Sequence, residues 1–425
     1  MKRIALFLSV TLFSTSVFAA DWMQWRGSNH DGVSTETGLL ESWPEGGPKL
    51  LWLAENLGGG YSNASFADGM IFSLGDREDG CYLFALALDG GKEIWKLKVG
   101  NAGASQGNTF LGPRCTPGTD GKLVFALGQF GDLVCADAKT GKECWRLNVA
   151  DKLGGTVMLN FGDRGITWNY SMSPIIDGDQ VVLPIGGNDG TVIAFERNAE
   201  AFKLVWRSSD ITDAAPYCSV VPVTIGGVPQ YLLFTDKRIA GLDSKTGKQL
   251  WSAERSGKVA ICSDPVFWME NENTCYIMVS SGYGVGGHGF KVVANNGTFN
   301  AEEIFKEQRL ESHHGGLVQI GGFFYMLTQR ELVCIDPKTG QTRWNNRSVG
   351  KGSIFAVDGK LIVRAEAGDG TVALVEATPE AYKEISRFDQ PGRSDKNSWV
   401  YPVVHEGKLY IRDQGLMLCY DVKGN

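Results

Sequence analysis

A short segment that ends in tryptophan recurs along this 425-residue chain and constrains its fold more than any other feature. Copies run from Ala136 to Trp145, from Leu242 to Trp251 and from Ile335 to Trp344, with a shortened copy from Ala87 to Trp95. In each copy, an aspartate can accept hydrogen bonds from the N–H groups of a tight turn, and a glycine can adopt a positive φ. The segment is typical of two strand ends joined by a turn, and its recurrence predicts a repeat protein.

The aromatic residue that closes this segment recurs about every 40 to 60 residues, a period that indicates propeller blades of about four strands each. In the third period, short β-rich runs between Gly/Asp turns predict strands at 171–176, 180–185, 191–196 and 203–206. No stretch longer than a turn or two has helical periodicity. The anchor aromatics, expected in the core between blades, are Trp52, Trp95, Trp145, Trp206, Trp251, Phe305, Trp344 and Phe388.

The last period ends at Asn425 before its fourth strand, and an orphan strand, Leu50 to Ala54, stands near the start of the chain. If that strand completed the last blade, it would close the ring and remove an exposed edge. We therefore predict an all-β fold, an eight-bladed β-propeller of four-stranded antiparallel blades, as one domain over residues 48–425. Seven blades are the alternative, if the weak seventh period from Ser353 to Phe388 were absorbed into a neighbour. Residues 20–47 form a lead-in rich in glycine and aromatic residues.

Residues 1–19 have the pattern of a secretory signal peptide. Lys2 and Arg3 precede an apolar stretch, and small residues stand at the expected cleavage site after Ala19. The apolar stretch is shorter than the ~20 residues that a membrane-spanning helix needs. Because the first cysteine is Cys81, no cysteine is available there for lipidation. We expect a secreted or periplasmic protein that is not a lipoprotein and has no transmembrane segment after cleavage.

The chain has nine cysteines, which in an oxidising compartment suggests disulfides. Most of them occupy repeat positions that require a small residue, so we expect them to pack as small apolar side chains. A disulfide between Cys135 and Cys144 on adjacent strands is one possibility. It depends on the strand register, because a shift of one residue would turn the two side chains to opposite faces. The odd total leaves at least one free thiol or an intermolecular bridge. The cysteines in repeat positions are Cys115, Cys135, Cys218, Cys262, Cys334 and Cys419.

The formal charge of −7 and the absence of any Lys/Arg cluster argue against nucleic-acid binding. The expected partner is a protein or a small molecule that the sequence does not identify, and we expect a monomer.

The repeats resemble the pyrroloquinoline-quinone (PQQ) repeat, whose signature is Ala-x-Asp-x-x-Thr-Gly-x-x-x-Trp. The chain is also similar to secreted propellers common in planctomycete-type bacteria, in segments 25–32, 170–174, 186–190, 217–219 and 313–316. The resemblance implies the fold of the quinoprotein alcohol dehydrogenase-like superfamily, but a repeat alone does not imply cofactor binding. The signature residues are Asp137, Thr140, Gly141 and Trp145; Asp243, Thr246, Gly247 and Trp251; and Asp336, Thr339, Gly340 and Trp344.

Quinone-dependent enzymes of this superfamily carry two adjacent cysteines beside the cofactor, hold Ca²⁺ with carboxylates and an amide, and use an aspartate as base. This chain has no Cys-Cys pair, and Asp163, Asp189, Asp264 and Asp395 match no such motif. We therefore assign no catalytic residue, and PQQ with Ca²⁺ is implied by the resemblance alone. A scaffold lipoprotein of outer-membrane assembly is similar in repeat type and size. We predict a ligand- or protein-binding scaffold in the cell envelope, with a PQQ-dependent alcohol or sugar dehydrogenase as the alternative.

The connections between blades lie at one mouth of a propeller's channel, and the sequence predicts a ligand site there. Aromatic rings and cations around one opening suit an anionic or sugar-like ligand. The His313-His314 pair could bind a metal, transfer protons, contact another ligand or pack; to bind one ion jointly, two adjacent residues need an irregular backbone. The predicted site residues are Arg114, Trp168, Asn169, Tyr170, Tyr217, Lys258, Glu311, His313 and His314, with Arg393, Lys396 and Trp399 completing the ring.

Overall fold

Eight sheets follow one another along the described part of the chain. Seven have four antiparallel strands, and in the eighth a short parallel strand joins four antiparallel ones. The structure is a computed structural model, which describes residues 22–105, 109–161, 165–255 and 259–424. The predicted eight-bladed β-propeller is confirmed, and the weak seventh period forms a blade of its own. Neighbouring strands in every blade are antiparallel, as short alternating strands with tight Gly/Asp turns require.

The first four blades contain one helix, which follows the second blade. Blade 1 comprises β3 (Ser65–Ala67), β4 (Met70–Arg77), β5 (Gly80–Ala87) and β6 (Glu93–Gly100). Blade 2 comprises β7 (Gly118–Thr119), β8 (Leu123–Leu127), β9 (Asp132–Asp137) and β10 (Glu143–Asn148), followed by α1 (Val149–Leu153). Blade 3 comprises β11 (Ile175–Asp177), β12 (Gln180–Pro184), β13 (Val192–Glu196) and β14 (Leu204–Arg207). Blade 4 comprises β15 (Val221–Ile225), β16 (Val228–Phe234), β17 (Arg238–Asp243) and β18 (Gln249–Glu254).

The last four blades include two strands from the start of the chain. Blade 5 comprises β19 (Val266–Asn271), β20 (Thr274–Ser281), β21 (Gly286–Asn295) and β22 (Thr298–Glu307). Blade 6 comprises β23 (Leu317–Ile320), β24 (Phe323–Leu327), β25 (Leu332–Ile335) and β26 (Thr342–Asn346). Blade 7 comprises β27 (Gly352–Val357), β28 (Lys360–Ala365), β29 (Val372–Glu376) and β30 (Glu384–Phe388), and β1 (Val33–Ser34) pairs in parallel with β27. Blade 8 comprises β31 (Val403–His405), β32 (Lys408–Asp413), β33 (Leu416–Asp421) and β2 (Lys49–Ala54).

The ring closes through β2, which is the outer strand of blade 8. It pairs antiparallel with β33, and Trp52 lies opposite Cys419. The prediction that an N-terminal strand completes the last blade is therefore confirmed. The helix α1 has five residues, and the described part of the chain contains no helix long and apolar enough to span a bilayer.

The inner strand of blade 3 is shorter than predicted. Residues 171–174 were expected in a strand, but β11 begins only at Ile175. The preceding residues turn towards the next blade instead, where the N–H of Ser173 donates to the Ser219 hydroxyl at 2.9 Å. This side-chain bond replaces the ladder bond that a longer strand would have made.

The predicted anchor aromatics all lie on the outermost strand of a blade. Trp52 is on β2, Trp251 on β18 and Phe388 on β30, and the other five occupy the matching strands. In seven blades the register between the two outer strands shifts by one residue beside the anchor, whereas in blade 7 the shift lies beside Ser386, two residues before Phe388. Such a bulge turns the bulky side chain out of the regular pleat, so the ring can pack against the neighbouring blade.

Several anchors lie directly beneath the turn glycine of the following blade. A Cβ on Gly247 would approach the Trp206 ring to below 3.0 Å, and Gly141 is equally close to Trp95. Gly91 faces Trp52 and Gly340 faces Phe305 in the same way. The recurrent glycine therefore provides a positive φ and, in addition, leaves room for the ring of the preceding blade.

The nine cysteines are free thiols, and seven of them are buried. Cys135 faces Trp145 across the bulge between β9 and β10, and Cys144 lies inside that bulge. The two thiols are not bridged. Buried Cys115, Cys218 and Cys334 pack within hydrophobic clusters between blades.

Residues 22–34 run along the central channel. The Trp22 carbonyl accepts from the Phe66 N–H (2.8 Å) and the Met23 carbonyl from the Thr119 N–H (2.9 Å), which belong to the inner strands of blades 1 and 2. Farther along, the Gly32 carbonyl accepts from the N–H of Ala356 in blade 7 at 3.0 Å. A segment that bonds to the innermost strands of several blades must lie on the axis that they surround.

Replacing Gly247 with alanine should destabilise the protein more than the same change at Gly227. Both glycines lie in turns of blade 4 with φ near +70°, but a Cβ at Gly227 meets nothing within 4 Å. Gly227→Ala should therefore cost only the left-handed backbone penalty of ~1–2 kcal/mol. Gly247→Ala adds overpacking against Trp206, about 1–3 kcal/mol more. Equal free energies of unfolding in urea for the two variants would contradict the role given to the glycine–ring contact.

Candidate functional site

A pocket opens at the mouth of the channel, where the chain enters the inner strand of successive blades. Its cavity volume is about 90 Å³, well below the ~300–1,000 Å³ typical of sites for drug-sized ligands, so it is a small site. Its walls come from blades 1 to 6 and 8 and from the axial segment. The lining residues are Trp25, Tyr61, Arg114, Trp168, Ser171, Tyr217, Cys262, His314, Trp399, Val400 and Tyr401.

The floor of the pocket is Trp25, from the axial segment. Its indole N–H donates to the Asp264 carboxylate, which also accepts from the Ser219 N–H at 2.8 Å. The ring meets Tyr401 edge to face, with centroids 5.0 Å apart. These contacts fix the indole across the channel, so the pocket ends at the floor.

One wall is a row of stacked rings. Trp399 packs against Tyr61 at 4.3 Å between centroids and stacks on His314 at 4.2 Å. The hydroxyl of Tyr401 donates to the His314 carbonyl at 2.7 Å and thereby holds that backbone. Both faces of the Trp399 indole contact neighbouring rings. Its only polar group, the Nε1–H, has no hydrogen-bond partner among the described residues.

The opposite wall is formed by Trp168 and Tyr217, whose ring centroids lie 5.3 Å apart. The Tyr217 hydroxyl donates to the Met158 carbonyl at 2.8 Å and accepts from the Asn160 amide. At the rim, Tyr283 and Phe161 pack against Trp168 and remain exposed. This wall is therefore rigid inside and apolar at the opening.

Arg114 is the cation of the pocket. Its guanidinium donates to the carbonyls of Gly112 (3.0 Å) and Phe110 (2.9 Å) and lies 5.4 Å from the centroid of the Tyr61 ring. Within the described residues it has no carboxylate in ion-pair contact. Burial lowers the pKa of Arg114, although nearby groups such as Tyr61 raise it, and an arginine still remains charged at neutral pH.

His314 is backed by a carboxylate. Its Nδ1 lies 3.9 Å from Glu366 Oε2, and the Lys351 ammonium lies 3.0 Å from the same carboxylate. Against the opposing effect of burial, the contacts with His314 and Lys351 lower the pKa of Glu366 to about 2, so it is ionised. Burial lowers the pKa of His314, which leaves a neutral ring facing the pocket.

The neighbouring His313 points away from the pocket. Its ring meets Tyr283 at 4.6 Å, and Lys351 Nζ lies 3.2 Å from its Nδ1. Burial, together with the neighbouring His314 and Lys351, lowers the pKa of His313 to about 3. The Lys351 ammonium occupies Nδ1, and Nε2, although unpartnered among the described residues, packs against the backbone of Gly282, so a positive charge and close packing both disfavour a metal ion shared by the pair.

The residues near the pocket do not fit the Ca²⁺ ion of quinone enzymes. The carboxylate of Glu366 is taken by Lys351, and that of Asp264 by the Trp25 and Ser219 N–H groups and the nearby Arg26. Ca²⁺ needs six to eight oxygen ligands. Within the described ranges, no group of three or more His, Cys, Asp or Glu side chains could hold a metal.

The structure brings together five of the residues predicted from the sequence. Arg114, Trp168, Tyr217, His314 and Trp399 line the pocket.

Other predicted residues lie elsewhere. Tyr170 and Asn169 are buried behind the mouth, where Asn169 has a φ of 63° and accepts from the Ser105 hydroxyl. Glu311 lines a separate surface groove near Gln329.

Two more predicted positions are also outside the lining, and a third cannot be placed. Arg393 pairs with Asp413 at 2.9 Å, and Lys396 lines an adjacent pocket. Lys258 falls outside the described residues.

The sequence reasoning missed Trp25, Tyr61 and Tyr401. Trp25 stands in the lead-in, which carries no repeat pattern that would place it on the axis. Tyr61 and Tyr401 each stand shortly before the inner strand of their blade, β3 or β31. The same positional rule that selected Tyr217 would have found them.

The chain matches known proteins in its repeat pattern and in its fold. A family model described as outer membrane protein assembly factor BamB matches residues 79–346. No curated protein sequence matches the chain.

Solved structures share the fold at low identity. The quinohemoprotein alcohol dehydrogenase ADHIIG from Pseudomonas putida HK5 is 13% identical, with a TM-score of 0.65 over 96% of this chain and 81% of that one. BamB from Moraxella catarrhalis is 16% identical, with a TM-score of 0.57 over 88% of this chain and 99% of that one. A europium-containing methanol dehydrogenase is 11% identical, with a TM-score of 0.63 over 93% and 90% of the two chains. At such low identity, these structures show a shared fold alone. The family match over residues 79–346, together with this fold, shows that the chain belongs to the PQQ-repeat β-propeller family.

Proposed function

We propose that the protein is a secreted binding module whose channel-mouth pocket holds a small organic ligand through an anionic group. The observation that carries the proposal is Arg114, a guanidinium in the pocket wall with two carbonyl acceptors and no carboxylate partner among the described residues. Secretion rests on the signal-peptide pattern of residues 1–19.

The charge balance around the mouth favours an anion. The carboxylates of Glu366 and Asp264, which contact lining residues, are already bonded to cations or N–H donors. Asp76, whose charge acts on Arg114, accepts from the Gly103 N–H and the Gln129 amide. Arg114 therefore has spare N–H groups, and guanidinium groups bind carboxylates and phosphates through two parallel hydrogen bonds. The N–H of Trp399 on the same wall is buried without a partner among the described residues, so a ligand would reach it only if the ring shifted.

The aromatic walls suit the organic part of such a ligand. Trp168 and Tyr217 face the wall of Tyr61 and Trp399 across a pocket closed by Trp25. A mostly apolar cleft with a few fixed donors is the usual form of a small-molecule site. The exposed rings at the rim, Phe161 and Tyr283, extend this apolar surface outward and offer a place where a larger ligand or a protein could rest.

A PQQ-dependent dehydrogenase is the second candidate function. The similar fold of the two dehydrogenases favours it, whereas the occupied carboxylates and the lack of adjacent cysteines oppose it. BamB has the same fold, so fold similarity supports the binding function as well as it supports the dehydrogenase.

Replacing Arg114 with glutamine should weaken ligand binding about 10- to 100-fold, because a charge-assisted hydrogen bond contributes ~1.5–3 kcal/mol. Tryptophan fluorescence of Trp25, Trp168 and Trp399 provides the signal in titrations with a panel of small carboxylates, phosphate esters and neutral sugars. Arg309→Gln, at an exposed position in a separate groove, is the matched control and should leave affinity unchanged. If neutral sugars bound best, and equally well to both variants, the anionic ligand would be wrong.

Adding PQQ with Ca²⁺ should neither raise the melting temperature nor produce a bound quinone absorbance. The reason is that Glu366 and Asp264 would have to give up their present partners to bind the ion. Differential scanning fluorimetry and absorbance after gel filtration measure the two effects. Saturable stabilisation, together with dye reduction in the presence of alcohols, would support the dehydrogenase instead.

A further inference from the structure

Arg255 is a buried cation with almost no hydrogen-bond partners. It follows β18, its side chain is nearly inaccessible (4% exposed), and its backbone N–H donates to the Lys237 carbonyl at 2.9 Å. The guanidinium lies 4.7 Å from the centre of the Phe234 ring and donates from Nη2 to the Ser281 hydroxyl. Its Nε and Nη1 are buried and have no acceptor among the described residues.

Other buried arginines of this propeller are better satisfied. Arg364 donates to the carbonyls of Val400 and Arg412 and to the Gln390 amide oxygen. Arg412 donates to several carbonyls as well, among them that of Ser62 at 3.0 Å.

Arg26 is the closest case to Arg255, since it too has two unpartnered nitrogens. It nevertheless lies 3.8 Å from the Asp264 carboxylate and donates to two carbonyls. Arg255 combines unpartnered nitrogens with a lack of both carboxylate and carbonyl acceptors, so its charge is the least compensated of these four.

The acidic groups in the neighbourhood contact other side chains, although the charge of Glu303 still acts on Arg255 at longer range. Asp213 pairs with Lys237 at 2.9 Å and Arg238 at 3.0 Å, both of which are far more exposed than Arg255. Glu303 lies 3.4 Å from His288 Nδ1 and makes no ion pair with Arg255 in the described part of the chain. Removing an ion from water without a counter-charge is strongly unfavourable.

Burial lowers the pKa of Arg255 to about 10, which still leaves the guanidinium charged at neutral pH. The surrounding side chains of Phe234, Ser281 and His288 are almost completely buried. A water molecule would satisfy the N–H groups of Arg255 without neutralising its charge, whereas a small anion would do both.

We propose that a small inorganic anion of halide type binds between blades 4 and 5, held by Nε and Nη1 of Arg255 beside the Ser281 hydroxyl. The Ser281 hydroxyl accepts from Nη2 and can turn its own hydrogen towards the anion. The ion supplies the missing counter-charge and links the end of β18 in blade 4 to β20 in blade 5. The site is separate from the channel-mouth pocket and does not depend on the function proposed for that pocket.

Halide should stabilise the protein in a saturable way. After dialysis into sodium gluconate, whose anion is too large for the site, exchange to sodium chloride or bromide at the same ionic strength should raise the melting temperature by about 2 °C or more. In Arg255→Met the rise should disappear, because the charge that binds the anion is gone. Arg207→Met is the matched control: Arg207 also bridges blades, but through carbonyls such as those of Leu153 and Gly190, and its variant should keep the halide response.

Crystals grown in bromide provide a test that does not require a folded variant. An anomalous peak within hydrogen-bond reach of Arg255 Nε and Nη1 would support the site. Density for a water without anomalous signal there would overturn the proposal. So would a melting temperature of the unmodified protein that is the same in halide and gluconate, or a halide response that survives in Arg255→Met.

Discussion

The contact between an outer-strand ring and the turn of the next blade is the interaction on which the whole ring depends. A bulge turns every anchor except Phe388 out of its sheet, and Trp95 and Trp206 then fit beneath glycines of the following blade. Two rings without such a glycine bond across the blade boundary, Trp145 Nε1 to the Asn198 carbonyl and Trp344 Nε1 to the Thr378 carbonyl. Trp251 Nε1 donates to Gln230 within its own blade. One aromatic position per blade thus sets the distance and angle between neighbours, and eight such contacts set the width of the channel.

The width of that channel decides what can happen at its mouth. The axial segment fills the space that the inner strands leave, with Arg26 and Trp25 both directed at Asp264. The pocket is consequently a shallow chamber that ends at an indole and is not a pore. The segments that form its walls differ from blade to blade, because they lie outside the repeat, and chemical specificity in a repeat fold resides in such connections.

The periodic part of the sequence was sufficient to predict the fold, because each anchor and turn acts locally within its own blade. Blade number, strand order and closure by β2 follow from counting those signals. The site was predictable only in part. Arg114, Trp168, Tyr217, His314 and Trp399 occupy positions defined relative to the repeat, and they meet in the pocket. Trp25 could not be placed, because its position results from a segment that packs against many blades at once, and the direction of His313 depends on contacts with Tyr283 and Lys351.

The pairing of β2 with β33 also has a consequence for how the chain reaches its native state. Lys49 lies opposite Asp421, so the first blade-forming strand to leave the ribosome must wait for the last. The axial segment is also synthesised before its partners. It reaches its final contacts only when the inner strands that it bonds to have assembled around it. Closing so long a loop costs chain entropy before any contact rewards it. An unclosed ring with a bare β33 edge is therefore the expected late folding intermediate, and it is the species most exposed to aggregation.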